Sequence, residues 1–264
     1  MTAVQTGNIM LRVGAFQLHD ISLAIPAGQI TAIVGPNGSG KSTLLQVFAR
    51  LLNADQGQVI IDGKPLKSYK PVQFAQTLSM LPQSKNVMPD LTVRELVSYG
   101  RSPYKRLFDR MTSEDENIVD WAMEATGTKR HENRMYHTLS GGEQQKARIA
   151  LALAQRTDII LLDEPTTFLD IAHQLEVMDM LQQINREHGL TVIMVLHDLQ
   201  QAANYCHYMI AMRQGKVLET GKPKEIINTH FMEKVYRIEA KVKFEDEYPI
   251  IIPIKTLEAN RRSY

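Results

Sequence analysis

Short apolar runs and amphipathic stretches divide this chain of 264 residues into three textures. Through residues 9–34 and 57–62 the apolar positions come in brief strand-like runs, Ile21 to Ile25, Ile30 to Val34 and Gln58 to Ile61. Turn signals close them at Pro26-Ala27-Gly28 and Asp62-Gly63, so the pattern predicts an antiparallel β-layer beside one buried strand. Behind that strand, Leu44, Leu45, Val47, Phe48, Leu51 and Leu52 recur at helical spacing. From about 84 to 155 the sequence turns charged and mostly helical, with helices predicted over Thr92–Tyr99 and Ser113–Thr126. The second is entered through Ser113 with Glu116 three residues on, the spacing of a capping box. Trp121 and Met123 within it are expected to pack in the core.

After residue 155 the pattern becomes strand–helix–strand. Ile159 to Leu162 and Val192 to Leu196 are apolar runs, and Ala172 to His188 between them reads as an amphipathic helix stopped at Gly189. Such alternation predicts a parallel sheet covered by helices on both faces. Tyr208–Met212 and Lys216–Thr220, joined at Gln214-Gly215, read as a closing hairpin. The tail from 230 has a helix-like piece, then alternating Val242, Phe244 and Ile250 to Ile254 broken by Pro249 and Pro253. It is expected to be a small appendage on the core.

Composition narrows the class. With 44% hydrophobic residues the chain can bury a large core, as one domain or a domain with a subdomain. Thirty Lys plus Arg against 29 Asp plus Glu leave a formal charge of +1, so no global field points to nucleic acid. One cysteine, Cys206, excludes an internal disulfide. No apolar run approaches the roughly 18 residues of a membrane span, and Met1 to Asn8 lacks the cationic start and apolar stretch of a signal peptide. A soluble, cytoplasmic protein is expected, reaching any membrane through a partner.

Chemistry enters between the first buried strand and the helix behind it. Gly35-Pro36-Asn37-Gly38-Ser39-Gly40-Lys41-Ser42, followed by Thr43, fits the phosphate-loop pattern G-x-x-x-x-G-K-[ST] without mismatch. Its glycines let consecutive N–H groups turn inward as an anion nest at a helix start. Lys41 can reach the β- and γ-phosphates and the Ser42 hydroxyl can ligate Mg²⁺. Ile159 to Leu162 end in Asp163 and Glu164, placed to hold Mg²⁺ and to polarise a water. Leu139-Ser140-Gly141-Gly142-Glu143 opens an Ala-rich helix from Gln144 to Ala154, with Ser140 and Glu143 at capping-box spacing. The bare glycine N–H groups there make a second anion site, and two such sites with one complete metal site suggest a ligand shared between two chains. His197, with Asp198, follows the last buried strand, and Gln83 stands in Leu81-Pro82-Gln83 at the junction with the helical region.

In this order the motifs resemble those of the ATP-binding cassette (ABC) ATPases over residues 9–229. Gly35 to Thr43 match Walker A, Gln83 the Q-loop, Leu139 to Glu143 the signature, and Asp163 and Glu164 Walker B. Phe168-Leu169-Asp170 match the D-loop and His197 the switch histidine. The resemblance implies a phosphate-loop (RecA-like) α/β parallel sheet core with an antiparallel β subdomain and an inserted helical subdomain. It implies a single ABC domain over 1–264, with the core in 1–83 and 156–229, the helical subdomain in 84–155 and a C-terminal extension in 230–264. It also implies a head-to-tail homodimer with two ATP molecules between one chain's Walker A and the other's signature. Glu164 is then the catalytic carboxylate, with Lys41 and His197 at the γ-phosphate, and Ser42, Gln83 and Asp163 on Mg²⁺.

Residues 91–104, 121–128 and 163–171 further resemble importers of iron(III)–siderophores, haem and cobalamin, the second stretch being similar to ferrichrome-type ATPases. The expected function is therefore ATP hydrolysis coupled to iron–siderophore uptake. Transmembrane permease subunits and an extracellular or periplasmic siderophore-binding protein complete the system, and the chain sits on the cytoplasmic face of the membrane without nucleic acid. Import of haem or cobalamin, an exporter ATPase and a soluble cassette acting on ribosomes or DNA are the alternatives. Two departures stand out: the signature has Glu143 where Gln is usual, leaving solvent or a cap on Ser140 as its role, and Arg12 aligns with the aromatic that stacks on adenine, with Phe16 four residues later. Arg101, Pro103, Tyr104 and Arg106 are expected on the rim that meets the permease.

Overall fold

Turn chemistry sets where the strands begin and end. In the hairpin of Tyr208–Arg213 with Lys216–Gly221, both turn residues have positive φ, 48° at Gln214 and 73° at Gly215. That backbone matches the twist of the flanking strands. The computed structural model describes residues 1–83, 90–106, 109–246 and 248–257. Residues 84–89, at the start of the expected helical subdomain, and 258–264, at the end of the expected extension, lie outside the described residues.

The chain folds as two compact units. One comprises Met1–Gly63 and Val195–Tyr264, the other Lys64–Met194. In the first, strand Thr2–Val13 lies between Phe16–Pro26 and Gln56–Ile61, antiparallel to both, with Val4 opposite Ile25 on one side and Ile61 on the other. This is the antiparallel layer the turn signals predict, and Val4, Ile9, Leu18, Ile21, Ile25 and Ile61 are its buried face. The strand Ile30–Val34 runs parallel to Tyr208–Arg213 and is buried at every residue, which is why it reads as an uninterrupted apolar run. Helix Lys41–Phe48 follows and buries Leu44, Leu45, Val47 and Phe48. The tail forms the hairpin Ile238–Glu245 with Tyr248–Thr256, which packs on helix Leu199–Tyr205. Cys206, just past that helix, is buried, and burial pushes its thiol well above the ordinary range.

In the second unit, strands run in the order Thr191–Val195, Ile159–Asp163, Leu78–Leu81, the last two parallel in register. Helix Ile171–His188 starts on the side chain of Asp170 and stops at Gly189 with φ 64°, as its sequence predicts. Helices Val93–Ser98, Ser113–Ala125 and Gly141–Ala154 pack on one another. The capping box of the middle helix is Thr112 with Asp115, one residue before the expected Ser113 and Glu116. Glu116 instead pairs with Arg94 at 3.0 Å, in a cluster with Asp120 and Glu132.

Arg101 corrects a second expectation. Its side chain is 6% exposed, its Nε donates to Asp115 at 2.8 Å and its guanidinium to the Ala154 carbonyl at 2.9 Å. A buried, paired guanidinium is a strut of the helical layer and offers nothing to a docking rim. Tyr104 stays exposed with its ring 3.9 Å from that guanidinium. Met123 is fully buried, whereas Trp121 is half-buried, edge-on to His188 and 4.7 Å from the Arg156 guanidinium.

Candidate functional site

The phosphate loop owes its shape to backbone that only glycine adopts at ease. Gly35, Gly38 and Gly40 have φ of 143°, 73° and 101°. A Cβ on Gly35 would stand 2.0 Å from the Met212 carbonyl oxygen, and one on Gly40 would stand 2.6 Å from the Phe16 ring. Any side chain at either position therefore displaces the loop. Gly40 is the N-cap of helix Lys41–Phe48 and supplies no side-chain cap, and no acidic residue lies in the first turn. Lys41, a residue only 5% exposed, folds its ammonium back onto the carbonyls of Gly35 at 2.9 Å and Pro36 at 3.1 Å. Ser42 and Thr43 complete the first turn, and the buried Ser39 hydroxyl has no hydrogen-bond partner among the described residues.

The same unit carries two other expected site residues. Leu196 N–H donates to Ile33 at 3.1 Å, so the segment leading to His197 runs beside the strand that feeds the loop. His197 is exposed, and Asp198 caps the next helix through Gln200 and Gln201. Arg12 is exposed too, and its main-chain N–H donates to the Asp55 carboxylate at 2.8 Å. The aromatic ring against the loop is Phe16.

In the second unit, Asp163 is buried at the end of its strand. Glu164 follows with φ 55°, a conformation a non-glycine residue holds only where its surroundings enforce it. Two donors do so here: the Gln83 amide and the Thr167 hydroxyl, the latter at 3.0 Å, both on Oε2 of Glu164. Gln83 and Glu164, 81 positions apart, thus meet. Thr167 was invisible as a partner because nothing in its local pattern marks it.

The signature helix Gly141–Ala154 is entered through a complete capping box. Glu143 N–H donates to the Ser140 hydroxyl at 3.3 Å and Ser140 N–H to the Glu143 carboxylate at 3.0 Å. The other carboxylate oxygen stands 2.9 Å from Nε2 of His131. Of the two roles open to Glu143 the cap is the one it takes, and His131 is a partner that sequence reasoning missed. The Ser140 N–H bond, with the His131 and Arg134 charges behind it, holds the Glu143 carboxyl below its usual range. Leu139 is buried, Gly141 and Gly142 form the first turn, and Asp170 caps His173 N–H at 2.9 Å with its carboxyl lowered by that bond.

Comparison with known proteins agrees with this geometry. Residues 18–167 match the family model described as ABC transporter. The chain is 45% identical over 238 residues to the petrobactin import ATP-binding protein FpuC of Bacillus anthracis, covering 90% of this chain and 88% of that one. It is 43% identical to the iron(3+)-hydroxamate import ATP-binding protein FhuC of Bacillus subtilis, covering 85% of this chain and 84% of the relative. It is equally 43% identical to the ferric enterobactin transport ATP-binding protein FepC of Escherichia coli, covering 89% and 88%. An inward-facing metal-chelate type ABC transporter superimposes with a TM-score of 0.83 over 97% of this chain and 98% of its own, at 23% identity, which speaks for the fold. A dimeric bacterial ABC transporter cassette gives a TM-score of 0.71 at 29% identity, covering 83% of this chain and 98% of that one. The chain belongs to the ABC transporter family, as an ATP-binding, ATP-hydrolysing cassette.

Proposed function

We propose that this cassette drives import of iron(III)–siderophore complexes, as a homodimer docked on membrane permease subunits that receive cargo from an external binding protein. The observation that carries the reading is the role of the relatives, which are import or transport ATP-binding proteins for petrobactin, ferric hydroxamate and ferric enterobactin at 43–45% identity across most of the chain. No helix among the described residues is long and apolar enough to cross a membrane, so a peripheral place on the cytoplasmic face fits. In this reading the chain is a single ABC domain with residues 84–155 as its helical subdomain and 230–264 as its extension.

The site residues take the following roles. Gly35 to Thr43 wrap the ATP phosphates, and Lys41 exchanges its two carbonyl partners for phosphate oxygens, a stronger charge-assisted pairing. Glu164 orients and deprotonates the attacking water while Gln83 and Thr167 fix its carboxylate, and His197 contacts the γ-phosphate. Leu139 to Glu143 and Asp170 serve the nucleotide of the partner chain. The buried Asp163 carboxylate, the Ser42 hydroxyl and the Gln83 amide oxygen are hard oxygen donors that suit Mg²⁺, whose charge would neutralise the phosphates. Phe16 and Arg12 are the two candidates for the adenine face.

Uptake of radiolabelled ferric hydroxamate in a strain lacking the gene tests the cargo. The wild-type gene restores uptake, and Glu164→Gln, which binds ATP but hydrolyses it on the order of 10²-fold more slowly, does not. Undiminished uptake in the deletion strain, with no second ATPase present, would falsify the cargo while leaving the ATPase standing.

A further inference from the structure

Behind the phosphate loop, in the same unit, two cavities share Arg213, Gln214 and Arg237 in their walls. The larger, about 580 Å³, is otherwise lined by His19, Lys216, Leu218 and Lys234. The smaller, about 280 Å³, reaches Pro36 to Ser39 of the loop, with Val235 and Tyr236 on its far side. The first wall therefore carries four cationic side chains and no carboxylate. Glu219 lies beside it but pairs with Lys234 at 2.9 Å, and the Asp198 charge acts on Tyr236 in the smaller cavity's wall. Among the described residues Arg237 and Lys216 have no acidic partner within ion-pair distance.

Two features show that the positive charges are held in place. Arg213 is tied by a 2.8 Å bond from its guanidinium to the Lys234 carbonyl, and burial together with the nearby Arg237 charge holds it below its ordinary value. Arg237 itself sits at φ 59°, ψ 40°, a conformation side chains rarely adopt, at the end of the helical turn Met232–Tyr236. Like charges gathered in a concavity repel one another, and an anion relieves that repulsion. Planar guanidinium forks match phosphate oxygens in particular. The turn between the strands also touches the loop, since Gly215 N–H donates to Ser39 at 3.0 Å, and the buried, unpartnered Ser39 hydroxyl belongs to the smaller cavity's wall.

We infer that the larger basic cavity, with Arg213 and Arg237 as its principal contacts and Lys216 and Lys234 at its rim, is a second phosphate-binding site that adjoins the phosphate loop but is separate from it. Its ligand is a compact phosphate-class anion, either free in solution or the headgroup of an acidic phospholipid. The inference does not depend on which cargo the transporter carries.

Inorganic pyrophosphate titrated into the full chain by calorimetry, without nucleotide or magnesium, tests it. Wild type should show two saturable sites. Arg237→Gly removes one guanidinium while placing at φ 59° the residue best suited to it, so the fold is spared. That variant should lose one site, with affinity weakened at least tenfold, and Lys41→Ala should retain that same site. Co-sedimentation with phosphatidic acid vesicles, against phosphatidylcholine vesicles, separates the sources. Acidic-vesicle binding lost in Arg237→Gly assigns the headgroup, and pyrophosphate binding without vesicle binding assigns the free anion. Two unaltered sites in Arg237→Gly, a single site abolished by Lys41→Ala, or no binding of either probe by wild type would overturn the inference.

Discussion

Two helices in this chain are proposed to meet phosphate at their N-termini, and they begin differently. Helix Lys41–Phe48 opens behind a left-handed glycine, without a side-chain cap and without an acid in its first turn. Helix Gly141–Ala154 opens behind Ser140 with a full capping box, and Glu143 sits in its first turn. The first start keeps its positive end for an outside anion, while the Lys41 ammonium donates to the loop carbonyls of Gly35 and Pro36. The second meets that end with its own carboxylate, backed by His131. On the roles proposed above, the start that holds a nucleotide on its own chain stays uncapped, and the one that serves a nucleotide carried by another chain is finished in advance as a rigid edge.

The largest effect that tests this contrast is Gly35→Ala. The added methyl meets the Met212 carbonyl at 2.0 Å, so stability in urea should fall by more than about 2 kcal/mol and ATP affinity should fall with it. Next comes Ser140→Ala, which removes one side of the box and should cost about 1 kcal/mol. ATP binding by the single chain should not change; a shift there would erase the distinction between the two starts. The smallest effect belongs to Glu143→Gln, which keeps a cap but loses the charge, at a cost below about 1 kcal/mol. Because the folded state lowers the Glu143 carboxyl, its contribution is present above the ordinary glutamate range and is lost as pH falls through the depressed value. Thermal melts of both proteins should therefore differ at neutral pH and converge in strong acid.

Local chemistry made much of this legible in advance. Gly189 and Gln214-Gly215 stop and turn the chain where their residue types say, and the buried strands read as continuous apolar runs. The miss at residues 112–116 is instructive, because the stretch Thr112-Ser113-Glu114-Asp115-Glu116 holds two overlapping capping boxes. A distant residue decides between them. Asp115 gives one carboxylate oxygen to Thr112 and the other to the buried Arg101, while Glu116 is taken by Arg94. Arg101 was misplaced for the same reason, as its partners lie 14 and 53 positions away. In the candidate site the motif residues were visible from spacing. Their supports, Thr167 on Glu164 and His131 on Glu143, carry no pattern of their own and appear only once the chain is folded.

The single thiol gives the molecule an internal clock. Cys206 is buried at the C-terminal end of helix Leu199–Tyr205, and its protonated form is strongly favoured there. An alkylating reagent meets a thiolate only when the packing around it opens, so the rate of labelling measures that local opening. With no second cysteine to blur the signal, the native chain reports on the opening of its own core without an added probe.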